Sequence, residues 1–457
     1  MKSVFYFLSF VMVVACNAQE PIDSRQREIV IRSVNVIPMD KERVMENQDV
    51  LIRNGKISAI ENSGTLRYTA DALIVEGKGK YLMPGLAEMH AHVPQGDNLE
   101  PMKEVLKLFI VNGVTTIRGM LGHPKHLELR AKLKSREIIG PHFYTSGPSF
   151  NGNSVKTPEA GAEMVKQQKQ AGYDFLKLHP GLNVEKFEAI SKTAKEVNIP
   201  FAGHVSFDVR IGRAIDAGYA TIDHLDGFIE SLVPGIESIK EQEAGPFALF
   251  IADKADHSKI SSLAKSLRDH NIWVVPTQAL AERWFASNRS SEQLSKAPEM
   301  KYMDASTAKA WLNNKNNLQQ NPQYDSAAAS RFVQLRRKLI YECNKAGVGL
   351  LLGSDAPQVF NVPGFSIHHE LQYMVDAGLT PYEALKTGTV NVAKFYGQND
   401  QGTIRKDSRS DLILLNGNPL KDISQTRNIS GVMLGNLWLS KEYIVKELEK
   451  IEKQKAF

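Results

Sequence analysis

Eight short apolar runs, spaced by stretches of helical pattern, constrain this chain more than any other feature. They are Leu86–His90, Val114–Arg118, His142–Thr145, Phe175–His179, Pro200–His204, Thr221–His224, Ile272–Pro276 and Gly349–Gly353. Lys103–Val111, Pro158–Ala171 and Val184–Val197 are among the helical segments between them. Strands that alternate with helices cannot pair as hairpins, because each crossover returns the next strand parallel to the last. Eight such repeats predict an α/β fold, a (β/α)8 TIM barrel, with its active site at the C-terminal ends of the strands. The barrel domain is expected over 84–401. Residues 280–340 are too long for an ordinary connection and carry Trp284, Phe285 and Trp311 among polar residues, so a helical lid insertion is expected there.

Both ends of the chain read differently. Ile29–Ile31, Asp49–Arg53 and Lys56–Ile60 are β-like, and Asn54-Gly55 is a strong tight-turn pair. Similar material returns at Asp411–Leu415, then Asn416-Gly417, then Gly431–Leu439. A single small sheet domain built from 27–83 and 402–440 is the expected outcome. Residues 441–457 alternate Glu447, Glu449 and Glu452 with Lys446, Lys450 and Lys453, the pattern of a charged, solvated C-terminal helix.

The N-terminus reads as an export signal over 1–18. Lys2 precedes an apolar stretch, Val4–Val14, too short to span a bilayer permanently. Val13-Val14-Ala15-Cys16 resembles a bacterial lipobox, which would make Cys16 the lipidation site; cleavage after Ala18 is the alternative. Either way an exported protein is expected, periplasmic or a membrane-anchored lipoprotein of a bacterium, touching a membrane only through a lipid anchor. Hydrophobic residues at 42% and charged residues at 23% exclude a disordered chain, and a mean hydropathy of −0.28 excludes a multi-span membrane protein. The net charge of +5 is spread without a basic block, which gives no case for nucleic acid. Two cysteines build neither a disulfide framework nor a cysteine-based zinc site, and Cys343 is expected to be a small core residue.

Ligand-type residues stand at the ends of most runs: His90 and His92, Lys177 and His179, His204, His224, and Asp355. His90-x-His92 on a strand puts both imidazoles on one face, able to chelate a transition metal. The pair lies in Leu82-Met83-Pro84-Gly85-Leu86-Ala87-Glu88-Met89-His90-Ala91-His92, directly after a β segment. This stretch closely resembles the opening of the metal-dependent amidohydrolase superfamily. The resemblance extends over nearly the whole chain and is nearest to the imidazolonepropionase-like and Xaa-Pro dipeptidase-like branch. Gly113–Arg118, Ala377–Pro381 and Gly417–Leu420 also match.

The resemblance implies a barrel with a small β-sandwich formed by both chain ends. It implies two divalent metal ions, zinc first, held by His90, His92, Lys177, His204, His224 and Asp355. Lys177 would be N6-carboxylated, turning a costly buried cation into an anionic bridge. It further implies hydrolysis of a carbon–nitrogen bond by a metal-bridging hydroxide, with Asp355 as the catalytic acid–base. His142, Tyr144 and His179 are candidate substrate contacts, and a small molecule or dipeptide is the expected partner, with a homo-oligomer as a further possibility. Lactone or phosphotriester hydrolysis on the same binuclear site is the competing activity, deamination ranks below it, and a non-catalytic ligand-binding lipoprotein is the competing class. Relatives carry aspartate where this chain has Glu88, Pro-Gly-Lys-x-Ala-Asp where it has 405–411, and Gly-Gly-His where it has Asn151-Gly152-Asn153.

Overall fold

The computed structural model describes residues 20–455, so the export segment and Cys16 lie outside the described residues. Strands from both ends join in one connected nine-stranded sheet. Its order is Ile22–Asp23, Leu437–Ser440, Ile429–Leu434, Leu412–Leu415, Tyr81–Pro84, Ile29–Val36, Met45–Arg53 and Lys56–Asn62, with Leu73–Glu76 branching from Ile29–Val36. The Asn54-Gly55 pair makes the expected hairpin: both residues take positive φ, 50° and 75°, and Arg53 pairs with Lys56. Asn416-Gly417 does not make a two-residue turn. The chain detours through the 3-10 turn Ile423–Arg427, and Asn416 N–H closes the loop on the Asn428 carbonyl at 2.9 Å.

Seven of the eight runs form parallel strands in two sheets. One contains Leu86–Ala91, Val114–Gly119 and His142–Thr145; the other contains Leu176–Leu178, Phe201–Gly203, Thr221–Asp223 and Trp273–Val275. Backbone bonds link the sheets: Asp174 N–H donates to the Thr145 carbonyl at 3.0 Å and Phe150 N–H to the Lys177 carbonyl at 2.9 Å. The eighth run, 349–353, is extended and bonded on both sides. Leu351 N–H donates to the Val274 carbonyl at 2.9 Å, and Met89 N–H to the Leu352 carbonyl at 2.8 Å. Gly353 permits this approach, because a Cβ there would lie 2.5 Å from the Val275 side chain and 3.0 Å from the His90 backbone nitrogen.

The crossover helices follow their sequence signals. Thr157 accepts the Ala160 N–H at 3.2 Å, Pro158 opens the helix Pro158–Ala171, and left-handed Gly172 ends it. The helix Val184–Glu196 buries Phe187, Ile190 and Ala194 on one face. Each large apolar side chain so buried stabilises the fold by roughly 1.5–3 kcal/mol. Five of the seven strands are buried throughout, and only His142, Tyr144 and Trp273 are partly exposed, as expected of a parallel sheet covered by helices.

Three regions differ from the sequence reading. The insertion expected over 280–340 is helical but shorter, because Ser326–Ala346 is one regular helix packed on Ile260–Asp269 and Ser366–Asp376. A second excursion, 225–256, follows the sixth strand as a chain of short helical turns; its polar and apolar residues carry no clean period. The C-terminal helix Lys441–Lys455 is not solvated all round: Tyr443, Ile444 and Ile451 are buried, and Lys107 pairs with Glu447 at 2.8 Å. Among the described residues no helix is long and apolar enough to cross a membrane. Cys343 is buried as expected, and burial pushes its thiol up to about 12.

Candidate metal centre

The ligand-type residues converge at the carboxyl ends of the parallel strands. His90 and His92 follow from the first strand, and their ring centroids lie 5.5 Å apart. The His90 and His224 rings are 4.3 Å apart, and those of His204 and His224 4.4 Å. Asp355 Oδ1 lies 2.9 Å from His92 Nε2 and 3.5 Å from His90 Nε2. One nitrogen from each of His90 and His92 and one oxygen of Asp355 all fall within 4.8 Å of one another. Lys177 is fully buried, with Nζ 3.3 Å from His90 Nε2.

The local backbone is shaped for this convergence. His224, Thr277 and Asp355 all take left-handed φ of 62°, 48° and 63°, a conformation that costs a non-glycine residue roughly 1–2 kcal/mol. Such strain persists only where surrounding contacts over-determine it, and it concentrates at functional sites. Here Arg336 supplies those contacts, donating to the His224 carbonyl at 2.6 Å and the Pro276 carbonyl at 2.8 Å. Glu370 accepts the Gln278 and Ala279 N–H groups behind the same loop. Gly203 is required by Lys177: a Cβ there would stand 2.7 Å from the lysine Cδ.

A layer of polar residues holds the imidazoles. Asp223 Oδ2 lies 2.9 Å from His90 Nδ1, and Arg118 beneath it donates to Asp223 at 3.2 Å and to the Met89 carbonyl at 2.7 Å. Asp226 Oδ2 and His204 Nδ1 are hydrogen-bonded at 2.6 Å. Thr277 Oγ1 meets His224 Nδ1 at 2.8 Å. Glu88, the residue in place of the usual aspartate, accepts N–H groups from Ser354 at 2.7 Å and His90 at 3.2 Å, tying the first strand to the segment that carries Asp355. Sequence reasoning missed Asp223, Asp226, Thr277, Arg118 and Arg336. A charge inside an apolar run, as at Arg118 and Asp223, was the available signal.

Burial governs the protonation states. It pushes the Lys177 ammonium down to about 8, against the opposing attraction of Asp223 and Asp355. It holds His90 and His224 well below the usual imidazole value and His204 at about 3, with the Lys177 charge adding to the effect on each. Burial likewise raises Glu88 and Asp226 to about 8. His90, His204 and His224 are therefore neutral, the form that binds a metal.

The donor set fits divalent cations. His224 Nε2 and Asp355 Oδ1 are buried and have no hydrogen-bond partner among the described residues. Buried polar atoms are rarely left so, and each demands an explanation such as an ion. His92 Nε2 and Asp355 Oδ1 are close without hydrogen-bond geometry, as two atoms aimed at a common third point would be.

The three expected substrate contacts separate. His179 is at the site, half-buried, its ring stacked 5.0 Å from His204 and its Nδ1 without a hydrogen-bond partner among the described residues. His142 is not brought to the site. It begins its strand, which places it at the opposite, N-terminal mouth, where Nε2 meets Asp411 of the terminal sheet at 3.0 Å. Tyr144 is also engaged elsewhere: it stacks on Tyr396 at 4.0 Å, and its hydroxyl accepts from Gln398 at 2.9 Å. His368 and His369 are structural, meeting Thr426 at 3.0 Å and Glu299 at 2.9 Å.

Neutral imidazoles and carboxylates gathered at the ends of parallel strands define an α/β protein with an enzyme-like site. The chain belongs to the amidohydrolase family, whose pattern matches residues 81–438. It is similar to an adenine deaminase of Chelativorans sp. (strain BNC1), 25% identical over 211 residues, which are 42% of this chain and 34% of that protein. The chain thus matches about a third of that relative's length. Among solved structures, a bottromycin amidohydrolase superposes with a TM-score of 0.71 at 22% identity, covering 94% of this chain and 90% of that one. A Xaa-Pro dipeptidase with methionine in its active site superposes with a TM-score of 0.65 at 17% identity, covering 90% and 100%.

Proposed function

We propose that this chain is a binuclear metal-dependent hydrolase that cleaves an amide or peptide-type carbon–nitrogen bond in a small substrate. The observation that carries the reading is the convergence of His90, His92, His204, His224, Asp355 and a fully buried Lys177 on one point. The inter-sheet bonds and the eighth segment support a closed (β/α)8 barrel as the scaffold. His90, His92 and Asp355 would hold one ion, His204 and His224 the second, and Lys177 would span them as a carbamate. Carbamate formation joins the neutral lysine nitrogen to carbon dioxide and releases one proton. Zinc ions bound there would supply Lewis acidity and make water acidic enough to react near neutral pH.

The chain's own groups do the rest. Thr277 orients His224 through its hydrogen bond, and the Asp223 carboxylate stands against His90 Nδ1, so that both Nε2 atoms face the site. Asp355 accepts the proton of the attacking water and returns it to the leaving nitrogen. His179, neutral and with a free ring nitrogen, is placed to hydrogen-bond the substrate beside His204. Export with lipidation at Cys16, or cleavage after Ala18, remains part of the proposal and suits scavenging of small amides or dipeptides.

The test is metal content per chain, followed by a screen of dipeptides, N-acyl amides and lactones. Two ions per chain with amide turnover is the expected result. Turnover of lactones alone would move the activity to the competing hydrolase class. A fully metallated chain inert to every member would favour a binding role.

A further inference from the structure

The excursion after the sixth strand contains a strained pair. Phe247 and Ala248 both hold left-handed φ, 53° and 60°, inside the segment Pro246–Lys254. Neither is glycine, so the conformation is costly and must be maintained by contacts. What it achieves is the placement of one ring. Phe247 stands 5.6 Å from the His224 ring and 6.3 Å from the His204 ring.

Phe247 does not stand alone. Its ring is tilted against Phe285 at 5.4 Å, and Phe285 stacks on Trp284 at 4.9 Å and meets Phe332 edge-on at 5.7 Å. Phe285 is fully buried, whereas Phe247 and Trp284 are half-buried. The rings therefore form a continuous aromatic surface that starts beside two candidate metal ligands and reaches solvent. Phe247 and Trp284 pack against the core on one side and keep part of each ring open on the other.

The surface is also fixed from behind. Lys315 is fully buried and donates to the carbonyls of Arg283, Trp284 and Ala286 at 3.0, 3.2 and 2.7 Å. Tyr324 donates to the Phe285 carbonyl at 2.9 Å. Four successive carbonyls of the turn bearing Trp284 and Phe285 are thus held by the insertion. The insertion acts as a buttress for the wall.

We propose that Phe247, backed by Phe285 and Trp284, is the specificity wall of the site, and that the preferred substrates carry a flat aromatic group next to the scissile bond. The inference rests on the metal-hydrolase reading above and adds the substrate class. A charged or polar group against this wall would lose hydration without gaining a partner. An aromatic ring would gain the tilted and edge-on contacts that these four rings already make with one another.

The experiment uses the full zinc-loaded chain and two metal-seeking probes, benzylphosphonate and methylphosphonate, with binding read by titration calorimetry. The wild-type chain is expected to bind benzylphosphonate about tenfold or more tightly, the scale set by an apolar pocket. Phe247→Ala should bring the two affinities within about threefold while zinc content stays the same. Because alanine inherits the strained φ, Phe247→Gly is the second variant; glycine tolerates that conformation and should show the same loss of preference. Equal binding of both probes by the wild type, or an undiminished benzyl preference in both variants, would overturn the wall. Zinc uptake separates the outcomes: a chain that takes up no zinc fails as a metal hydrolase, and the inference fails with it. A loaded chain that prefers benzylphosphonate but cleaves no amide refutes the proposed chemistry and leaves the aromatic preference standing.

Discussion

Asp355 and Lys177 are the residues on which the proposed chemistry turns. Asp355 combines a left-handed backbone, near-complete burial and an oxygen with no hydrogen-bond partner among the described residues. Asp355→Asn keeps the shape but removes the base, so turnover is expected to fall about 10²–10⁴-fold, the usual range for losing a general acid–base. Steady-state kinetics on zinc-loaded protein checks this, and near wild-type rates would remove Asp355 from proton transfer. Lys177→Ala is expected to lose metal, measured by elemental analysis, with partial recovery on adding a short carboxylate such as acetate. Unchanged metal content would count against the carbamate bridge. The histidines of the site were legible because a period-two strand turns His90 and His92 to one face. The same rule misplaced His142. Alternation says which face a residue occupies, and only the strand's limits say which mouth it is near. His142 opens its strand, and Asp411, 269 positions later, claims it. Asp226 and Thr277 were invisible for a related reason, since each meets a histidine that ends the neighbouring parallel strand, a pairing that leaves no local pattern.

At the scale of elements, the insertion is an internal support. Lys315→Met would leave three carbonyls, two of them buried, without this donor, so a loss on the order of 3 kcal/mol is expected in denaturant unfolding. A loss below ~0.5 kcal/mol would show that the wall needs no such support. A second tie joins the insertion to the helix Ser366–Asp376 through Glu299, Arg283 and His369. Burial alone would raise the Glu299 carboxyl, but the His369 hydrogen bond and the Arg283 guanidinium together outweigh it and hold the group at about 2. A carboxyl depressed in the folded state contributes stability that is fully present above its unfolded value of 4.5 and is lost as pH falls towards 2. That contribution is about 3 kcal/mol at neutral pH. The stability gap between wild type and Glu299→Gln should therefore narrow between pH 5 and pH 3, read by denaturant unfolding, and a constant gap would exclude the linkage. The position of the insertion could be read from its length. Its role could not, because the acceptors of Lys315 lie about thirty residues away and are backbone atoms.

For the whole molecule, the terminal sheet and the parallel domain meet at the mouth opposite the site, where Asp411 binds both His142 and the Gly435 N–H. Chemistry and domain junction are thus on opposite ends of the same strands. This organisation was legible in outline: the eight runs, the Asn54-Gly55 hairpin and the late β segments each carry a local period or turn pair. The 225–256 excursion was not, because its turns are held by contacts and by strained φ at Phe247 and Ala248, which composition does not reveal. If the converged ligands make a metal-dependent amide hydrolase, as proposed, amide hydrolysis must follow zinc as metal-free chain is titrated with it. The rate should rise with bound zinc and level off at two ions per chain. Saturated chain with no turnover of any amide, or turnover that does not depend on zinc, would contradict it.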